Sequence, residues 1–416
     1  MLNGNLYMAI DVGSTKVCTL IAQVTSGGDL EIVGTGVVPS RGMRKGLVVH
    51  IDELVQAIQD SVEDAAEDVD RELPGACVGV TGGHISSLHT TATLNNLNGN
   101  DQRVITRKEI DLVVKHSYPK LAPGQELLHV IPTHYTVDTV HGVRNPSGLK
   151  GHQLTVDAHA VVGDAAPLDN IARAVEQAGL TVKSMVLEPL ASAEAVLSAE
   201  EKEAGVILVD IGGGTTDVAV FKDGAMIHAA VIPVGGYQFT NDVAIALGVP
   251  YESAEIAKLR HGHVVPEMVD ANESVEVKGH VGELPHLVRR RDLCRILNDR
   301  ATELLRLVLL KVRDSGLTTM PSAGLVFTGG GANLAGWTDL AKEMVPGPVR
   351  IAAPKDILGL PSELKSPTYS TSVGILLWGI NHPTEQQAYP HRNGQGLFTR
   401  SRRWVRRLGQ FAGYRS

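Results

Sequence analysis

The chain has 416 residues, of which 43% are hydrophobic, 20% charged and 4% aromatic. That balance excludes a disordered chain, a collagen-like repeat and a disulfide-stapled mini-protein, and the length calls for several lobes with cores of their own. The formal net charge is −8, yet residues 397–416 hold six arginines and no Asp or Glu, so an acidic body at −14 carries a basic tail and the two need different partners.

In chain order, the first segment reads as strand, turn, strand, strand: LYMAID at 6–11, VCTLIAQV at 17–24 and LEIVGTGVV at 30–38, with DVGST at 11–15 joining the first two. Apolar spacing at Leu54, Val55, Ile58 and Val62 predicts a helix over 52–69 with Asp52 as its N-cap. CVGVTGG at 77–83 reads as a strand ending in a glycine pair. Texture changes over 84–162. There SSLHTTATL and LLHVIPTHYTVD alternate, a helix opens at Thr106 with Glu109 three residues on, and HQLTVDAHAVVG closes what reads as an inserted small domain. Helix and strand alternate from 164 to 200, and a second strand-turn-strand unit, GVILVDIGGGTTDVAVF, follows at 205–221. A helical stretch over 251–313 is interrupted by a polar, strand-like segment around 264–284; AGLVFTGGGAN at 323–333 supplies another strand, and a last helix is expected at 369–380. Residues 381–396 lack periodicity and read as a flexible linker.

Cys18, Cys77 and Cys294 are far apart and show no Cys-x-x-Cys spacing, so neither a disulfide framework nor a structural zinc site is expected, and a reducing compartment fits. His261-x-His263 has no acidic or cysteine partner at zinc spacing and reads as structural. No apolar run approaches the ~18 residues of a spanning helix, and the N-terminus lacks the order of a secretory signal. A cytoplasmic chain is expected.

A long-range echo organises the whole. Ile10-Asp11-Val12-Gly13-Ser14-Thr15 and Val209-Asp210-Ile211-Gly212-Gly213-Gly214-Thr215 each follow an apolar strand and precede another, which implies two related lobes with a cleft between them. A strand ending in Asp, a turn rich in Gly, Ser and Thr, and a returning strand make a hairpin whose tip can offer backbone N–H groups to an anion. Glycine lets a phosphate approach without a Cβ in the way, and Ser14, Thr15, Thr215 and Thr216 add hydroxyl donors. Asp11 and Asp210 would stand near that phosphate and hold a hydrated magnesium ion, which keeps several waters and takes one or two carboxylates. Either motif alone reads equally as a tight hairpin; the pair reads as a clasp for a polyphosphate. A third cluster, Phe327-Thr328-Gly329-Gly330-Gly331-Ala332-Asn333, lies between a strand and a helix, where bare backbone can pass beneath a base or ribose. No Gly-x-x-x-x-Gly-Lys-Ser/Thr sequence occurs, which excludes a P-loop protein.

The turns at 10–17, 209–220 and 325–337, with connecting helices at 189–197 and 369–380, are similar to those of the actin, sugar-kinase and heat-shock-ATPase superfamily. Within it the chain resembles the FtsA family of bacterial cell-division proteins from about residue 5 to the C-terminus. The stretches Pro39-Ser40-Arg41-Gly42-Met43-Arg44-Lys45-Gly46, Leu128-His129-Val130-Ile131-Pro132, Asn145-Pro146-x-Gly148-Leu149-x-Gly151 and Arg260-His261-Gly262 carry that resemblance. It implies an α/β, duplicated two-lobe actin-like fold with a central nucleotide cleft and an FtsA-type inserted subdomain. The first lobe would comprise 1–83 and 163–203 with a return at 357–380, and the insert 84–162. The second lobe would comprise 204–250 and 316–356 with a small subdomain at 251–315, followed by the linker at 381–396 and a membrane-targeting helix at 397–416.

The same resemblance implies ATP with magnesium in the cleft. Gly13, Ser14, Thr15 and Lys16 would lie at the first phosphate turn, Gly212, Gly213, Gly214 and Thr215 at the second, and Gly329, Gly330 and Gly331 under the adenosine, with Asp11 and Asp210 holding magnesium through water. From the residues alone, Lys16 reads equally as a solvent-facing strand lysine. Glu188 aligns with the water-orienting Glu of related filament ATPases and reads equally as a first-turn acid set against the helix dipole. The family is regarded as weak ATPases, so slow turnover is expected, with the nucleotide acting mainly as an assembly and conformational ligand.

Placed on a helix at about 100° per residue, Leu397, Phe398, Trp404, Val405, Leu408 and Phe411 fall on one side and Arg400, Arg402, Arg403, Arg406 and Arg407 on the other. This suits a helix lying in the headgroup region of an anionic bilayer, where each arginine adds about 1 kcal/mol of attraction. A nucleic-acid tail or a calmodulin-type target helix are the alternatives; the first would not need the aromatic stripe, and no nucleic-acid partner is expected. Residues 286–313 hold eight Lys or Arg against three acids, with Leu293, Ile296, Leu297, Leu304, Val308 and Val312 as a core-facing stripe. Their basic face, Arg289, Arg290, Arg291, Arg295 and Arg300, reads as a solvated surface. By resemblance it belongs to the subdomain that receives the C-terminal tail of the tubulin-like protein FtsZ, with Arg295 and Arg300 at the contact. The role implied is a self-associating filament protein that docks FtsZ on the cytoplasmic face of the membrane at the division site, with later division proteins as further partners. A pilus-assembly relative, a phosphotransferase of the superfamily and a chaperone ATPase are the competing classes; the last would need a peptide-binding β-domain where this chain has a linker and one helix.

Overall fold

The computed structural model describes residues 5–95, 103–282 and 284–382. The linker from residue 383 and the amphipathic segment at 397–416 lie outside the described residues. β1 (Leu6–Val12) and β2 (Lys16–Val24) form the first expected hairpin, with Asp11 opposite Cys18, and β3 (Leu30–Pro39) extends the meander. β4 (Met43–Arg44) and β5 (Leu47–Val48) make a small hairpin turning through Lys45, at φ 50°, and Gly46. α1 (Ile51–Ala66) buries Leu54, Ile58 and Val62 as the spacing predicts, but its N-cap is His50. Asp52 sits inside the first turn, where its charge meets the helix's positive end without capping it. β6 (Ala76–Val80) then runs parallel to β1.

The next segment is a unit of its own. It comprises β7 (Ile85–Leu94), β8 (Arg103–Val104), α2 (Arg107–His116), β9 (Gln125–Val137), β10 (Val140–Val143), β11 (Lys150–Gly151) and β12 (Leu154–Asp164). Four of these strands form an antiparallel sheet in the order β10-β9-β12-β7, and α2 closes its small core around Ile110, Val113, Tyr135 and Leu154. Thr106 and Glu109 make the capping box expected at the start of α2.

α3 (Ala165–Gln177), β13 (Val182–Leu187) and α4 (Glu188–Val196) return to the first lobe, completing a sheet in the order β13-β6-β1-β2-β3. After α5 (Ala199–Ala204), β14 (Val206–Ile211), β15 (Thr216–Lys222) and β16 (Ala225–Ile232) repeat the meander. α6 (Gly236–Leu247) and α7 (Tyr251–His261) follow, then the hairpin β17 (Ser274–Val277) and β18 (His286–Arg289), and α8 (Arg290–Asp314). The expected interruption is thus a hairpin whose second strand takes residues 286–289, and the basic helix begins only at Arg290. β19 (Leu325–Thr328) ends earlier than expected because Gly330–Asn333 winds into a 3-10 turn; α9 (Trp337–Met344) and β20 (Val349–Ile351) complete a second sheet in the order β16-β15-β14-β19-β20.

The two sheets share one plan, a three-strand antiparallel meander extended beyond its first strand by two successive parallel strands. α10 (Ser370–Asn381) lies against α4, and one buried cluster runs from Leu20 and Val186 of the first lobe through Leu190 and Ile375 to Leu208 and Val326 of the second. A Cβ on Gly374 would fall 1.9 Å from the Ala191 carbonyl oxygen, so glycine is what lets the two helices touch. Among the described residues no helix is long and apolar enough to cross a membrane.

Candidate functional site

Both Asp-led hairpins open into one cleft between the sheets. Asp11, Gly13, Ser14, Thr15 and Lys16 line one wall, Asp210, Gly212, Gly213, Gly214 and Thr215 the other, and Glu188, Gly329 and Gly330 complete it. The tips meet: a Cβ on Gly213 would lie 2.3 Å from Thr15 Cγ2, and one on Gly214 2.6 Å from Ser14 Oγ. Each tip is closed by the same bond, Gly13 N–H to the Lys16 carbonyl at 3.0 Å and Gly212 N–H to the Thr215 carbonyl at 2.9 Å. Among the described residues no backbone acceptor takes the N–H groups of Ser14, Thr15, Gly213 or Gly214, which leaves them for an anion. Gly329, at φ 82°, passes so close to Asp210 that a Cβ would sit 2.2 Å from its Oδ1.

Two of the expected lining residues lie elsewhere. Thr216 is fully buried and donates its hydroxyl to the Val234 carbonyl at 2.8 Å, and Gly331 packs against Ile211 while its carbonyl accepts from Trp337 Nε1 at 3.0 Å. Alternation along a strand explains the first, since Thr215 and Thr216 must leave on opposite faces.

Charge is crowded here. Lys16 is not solvent-facing: its side chain is 17% exposed and Nζ lies 3.0 Å from Asp11 Oδ2, which also accepts from Ser372 Oγ. Burial is the largest influence and would lower the lysine, but Asp11, with Cys18 and Glu188 adding, raises the pKa on balance. Asp210 Oδ2 accepts from Ser192 Oγ and, at 2.9 Å, from Thr371 Oγ1; burial raises its pKa. Asp217, opposite Asp210 in the β14–β15 ladder, accepts from Thr81 Oγ1 at 2.5 Å across the cleft, and burial with the neighbouring Asp210 pushes it up to about 8. Glu188 opens α4 and is held well above the carboxylate range by burial, then by Asp11, Asp217 and Asp210. Among the described residues no three His, Cys, Asp or Glu converge into a metal-ligating group of their own. The sequence reading missed Asp217, Thr81, Gly46 and Thr371, all of which line the cleft.

The basic face of α8 is largely committed within the chain. Arg300 forks onto Asp242 at 2.6 and 3.0 Å and also meets Glu303; Arg290 pairs with Glu273 at 2.7 Å and donates to the His261 carbonyl; Arg291 donates to the Val269 carbonyl. Arg295 is exposed and meets only the adjacent-turn Asp292 at 2.8 Å among the contacts described. His263 accepts from Val265 N–H at 3.0 Å, a structural role. The membrane-facing set of Leu397, Phe398, Arg402, Arg403, Trp404, Val405, Arg406, Arg407, Leu408 and Phe411 lies outside the described residues.

Two sheets of one plan, packed about α4 and α10 with paired Asp-led hairpins facing across the cleft, define an actin-like two-lobe protein with an inserted subdomain. Residues 207–374 match the family model of Cell division protein FtsA and residues 82–162 that of the SHS2 domain inserted in FtsA. The cell division protein FtsA of Pseudomonas aeruginosa is 37% identical over 384 residues, 92% of this chain and 91% of that one, and that of Escherichia coli K12 is 36% identical over 383 residues, 90% of each. The chain belongs to the FtsA family of cell-division proteins. Solved structures show the same fold at low identity. A chain of the PilM-PilN type IV pilus biogenesis complex gives a TM-score of 0.63 at 16% identity over 90% of this chain and 98% of that one. MreB5 of Spiroplasma citri bound to ADP gives 0.51 at 12% over 94% and 99%.

Proposed function

We propose that this cell-division protein binds magnesium ATP in the cleft as an assembly and conformational ligand, forms filaments, and tethers FtsZ to the cytoplasmic face of the membrane at the division site. One observation carries the reading: two hairpins of equal construction meet tip to tip, with unengaged N–H groups above a crowd of buried carboxylates. When magnesium ATP is bound, its metal ion would supply the positive charge that this cluster lacks and its nucleotide the phosphoryl group that hydrolysis acts on.

The chain's own residues do the holding. Ser14, Thr15, Gly213 and Gly214 offer backbone donors to phosphate oxygens, and Lys16 is kept charged by Asp11. Asp11 and Asp210 would hold the ion through its water shell, and the bare backbone at Gly329 and Gly330 would leave room for the nucleoside. Burial, with Asp11, Asp217 and Asp210 beside it, works against the charged form of Glu188, the form that best orients an attacking water, and this supports a reading of slow turnover. Membrane attachment falls to the basic amphipathic segment at 397–416. Arg295 is freer than Arg300 to meet the FtsZ tail, and the inserted subdomain is the surface for later division proteins.

The test uses the full-length protein with calorimetry and a supported anionic bilayer. Expected are uptake of magnesium ATP, hydrolysis far below ordinary enzyme rates, filaments that recruit FtsZ, and loss of bilayer binding on Trp404→Glu. Absence of nucleotide uptake ends the cleft reading, and undiminished bilayer binding by the variant ends the tail reading.

A further inference from the structure

The inserted subdomain touches both lobes. Towards the second lobe, Ser87 Oγ on β7 donates to the Ala229 carbonyl of β16 at 3.2 Å, and Arg144 pairs with Glu203 of α5. Towards the first lobe, His129 on β9 is buried, and its Nε2 accepts the Leu187 N–H at 3.0 Å. Leu187 ends β13 and is the N-cap of α4, and the next residue is Glu188. A side chain from the insert therefore grips the peptide one residue before the buried carboxyl that faces the cleft.

Elementary chemistry explains why a histidine stands there. The Leu187 N–H precedes the first helical turn and has no acceptor within α4, and Leu187 brings no side-chain cap. A buried N–H is almost always met, so an acceptor must come from outside α4, and His129 supplies it. The His129 ring stands edge-on to Trp378 of α10, with centroids 5.4 Å apart, and Trp378 stacks on His382 at 3.7 Å. Burial, with His382 adding, lowers the imidazole to about 4. It is therefore neutral near pH 7, and a neutral ring offers Nε2 as acceptor when Nδ1 carries the proton. The bond is directional, short and independent of pH across the physiological range.

We propose that His129 is a positioning residue: through its bond to Leu187 the inserted subdomain sets the strand end that places Glu188, so whatever engages the insert alters how the cleft tells ATP from ADP. The proposal rests on the nucleotide reading above and adds the route by which a partner or a second copy of this chain would act on it. By the resemblance Glu188 would stand on the γ-phosphate side of the cleft it lines, so a shift of the β13–α4 junction would act on ATP and leave ADP nearly untouched. Contacts to both lobes also make the insert sensitive to their relative position.

The experiment compares full-length wild type, His129→Gln and His129→Asn by calorimetry with magnesium ATP and magnesium ADP. Gln extends its carbonyl oxygen to where Nε2 stands, whereas Asn reaches only the Nδ1 position and leaves the Leu187 N–H unmet. His129→Asn is expected to change the ATP-to-ADP affinity ratio about five-fold or more, with His129→Gln close to wild type. Equal ratios in all three proteins, or an equal change in both variants, overturn the proposal. A wild type that binds neither nucleotide overturns the cleft reading itself, a separate outcome. Hydrogen exchange on the wild type needs no variant: segments 125–131 and 182–188 should gain protection together when ATP replaces ADP, and protection of one without the other overturns the coupling.

Discussion

The two hairpins are copies of one design that neutralise their carboxylates in different ways. Counting from the leading aspartate, Lys16 in the first occupies the place of Thr215 in the second, and Cys18 the place of Asp217. The first wall is internally balanced, because Asp11 has an ammonium at 3.0 Å and a serine hydroxyl. The second wall has two carboxylates opposite one another in the ladder and, among the described residues, only the hydroxyls of Ser192, Thr371 and Thr81 donating to them. Like charges directly opposite in a ladder are destabilising. Duplication therefore preserved the tip geometry that suits an anion while leaving the second wall short of positive charge, which makes it the side where an incoming cation gains most.

Lys16→Met tests the first wall most severely. It leaves Asp11 buried beside an apolar side chain, and removing one partner of a buried pair costs about 3 kcal/mol or more. Chemical unfolding should show that loss without any nucleotide present. A loss under about 0.5 kcal/mol, the range of ordinary surface substitutions, would mean that the pair is not what balances Asp11.

The second wall should respond in the opposite sense. Asp210→Asn keeps an acceptor for Ser192 and Thr371 and removes a buried charge, so the apo protein should melt no lower than wild type. Magnesium ATP should bind about ten-fold more weakly, ~1.4 kcal/mol, because the ion's water shell loses a charged acceptor. A variant that is both less stable and unchanged in affinity would show that Asp210 is structural.

Much of this contrast is legible in the chain. The hairpins are local, and Ile10-Asp11-Val12-Gly13 echoing Val209-Asp210-Ile211-Gly212 is enough to place two turns and two lobes. Asp217 had a signal that passed unused: the turn at 212–215 fixes a ladder in which 210 faces 217, as the structure shows. Thr81 carries no such signal, because it reaches Asp217 across 136 positions of sequence and only the closed cleft brings them together. The α8 arginines misread for the same reason. Arg300 looks like a solvated charge until Asp242, 58 residues earlier, arrives beside it. His129 lies in a stretch recognisable by resemblance, yet its role depends on a backbone N–H that sequence cannot mark as unmet.

The subtlest difference between the walls is a proton. Burial and the neighbouring Asp210 push Asp217 up to about 8, against roughly 4 for an ordinary carboxylate, so folding should take up a proton where the pH lies between those values. The unfolded state then binds fewer protons than the folded one, and stability falls as pH rises through that window, by at most about 1.4 kcal/mol per pH unit, and levels off above about 8. Asn at 217 still accepts from Thr81 but cannot titrate. Nucleotide-free melting midpoints should therefore drop less between pH 6 and 8 for Asp217→Asn than for wild type. A residual slope remains from Glu188 and Asp210, whose pKa values are also raised by burial. Identical slopes in the two proteins would place the uncompensated proton elsewhere and erase the distinction between the two walls.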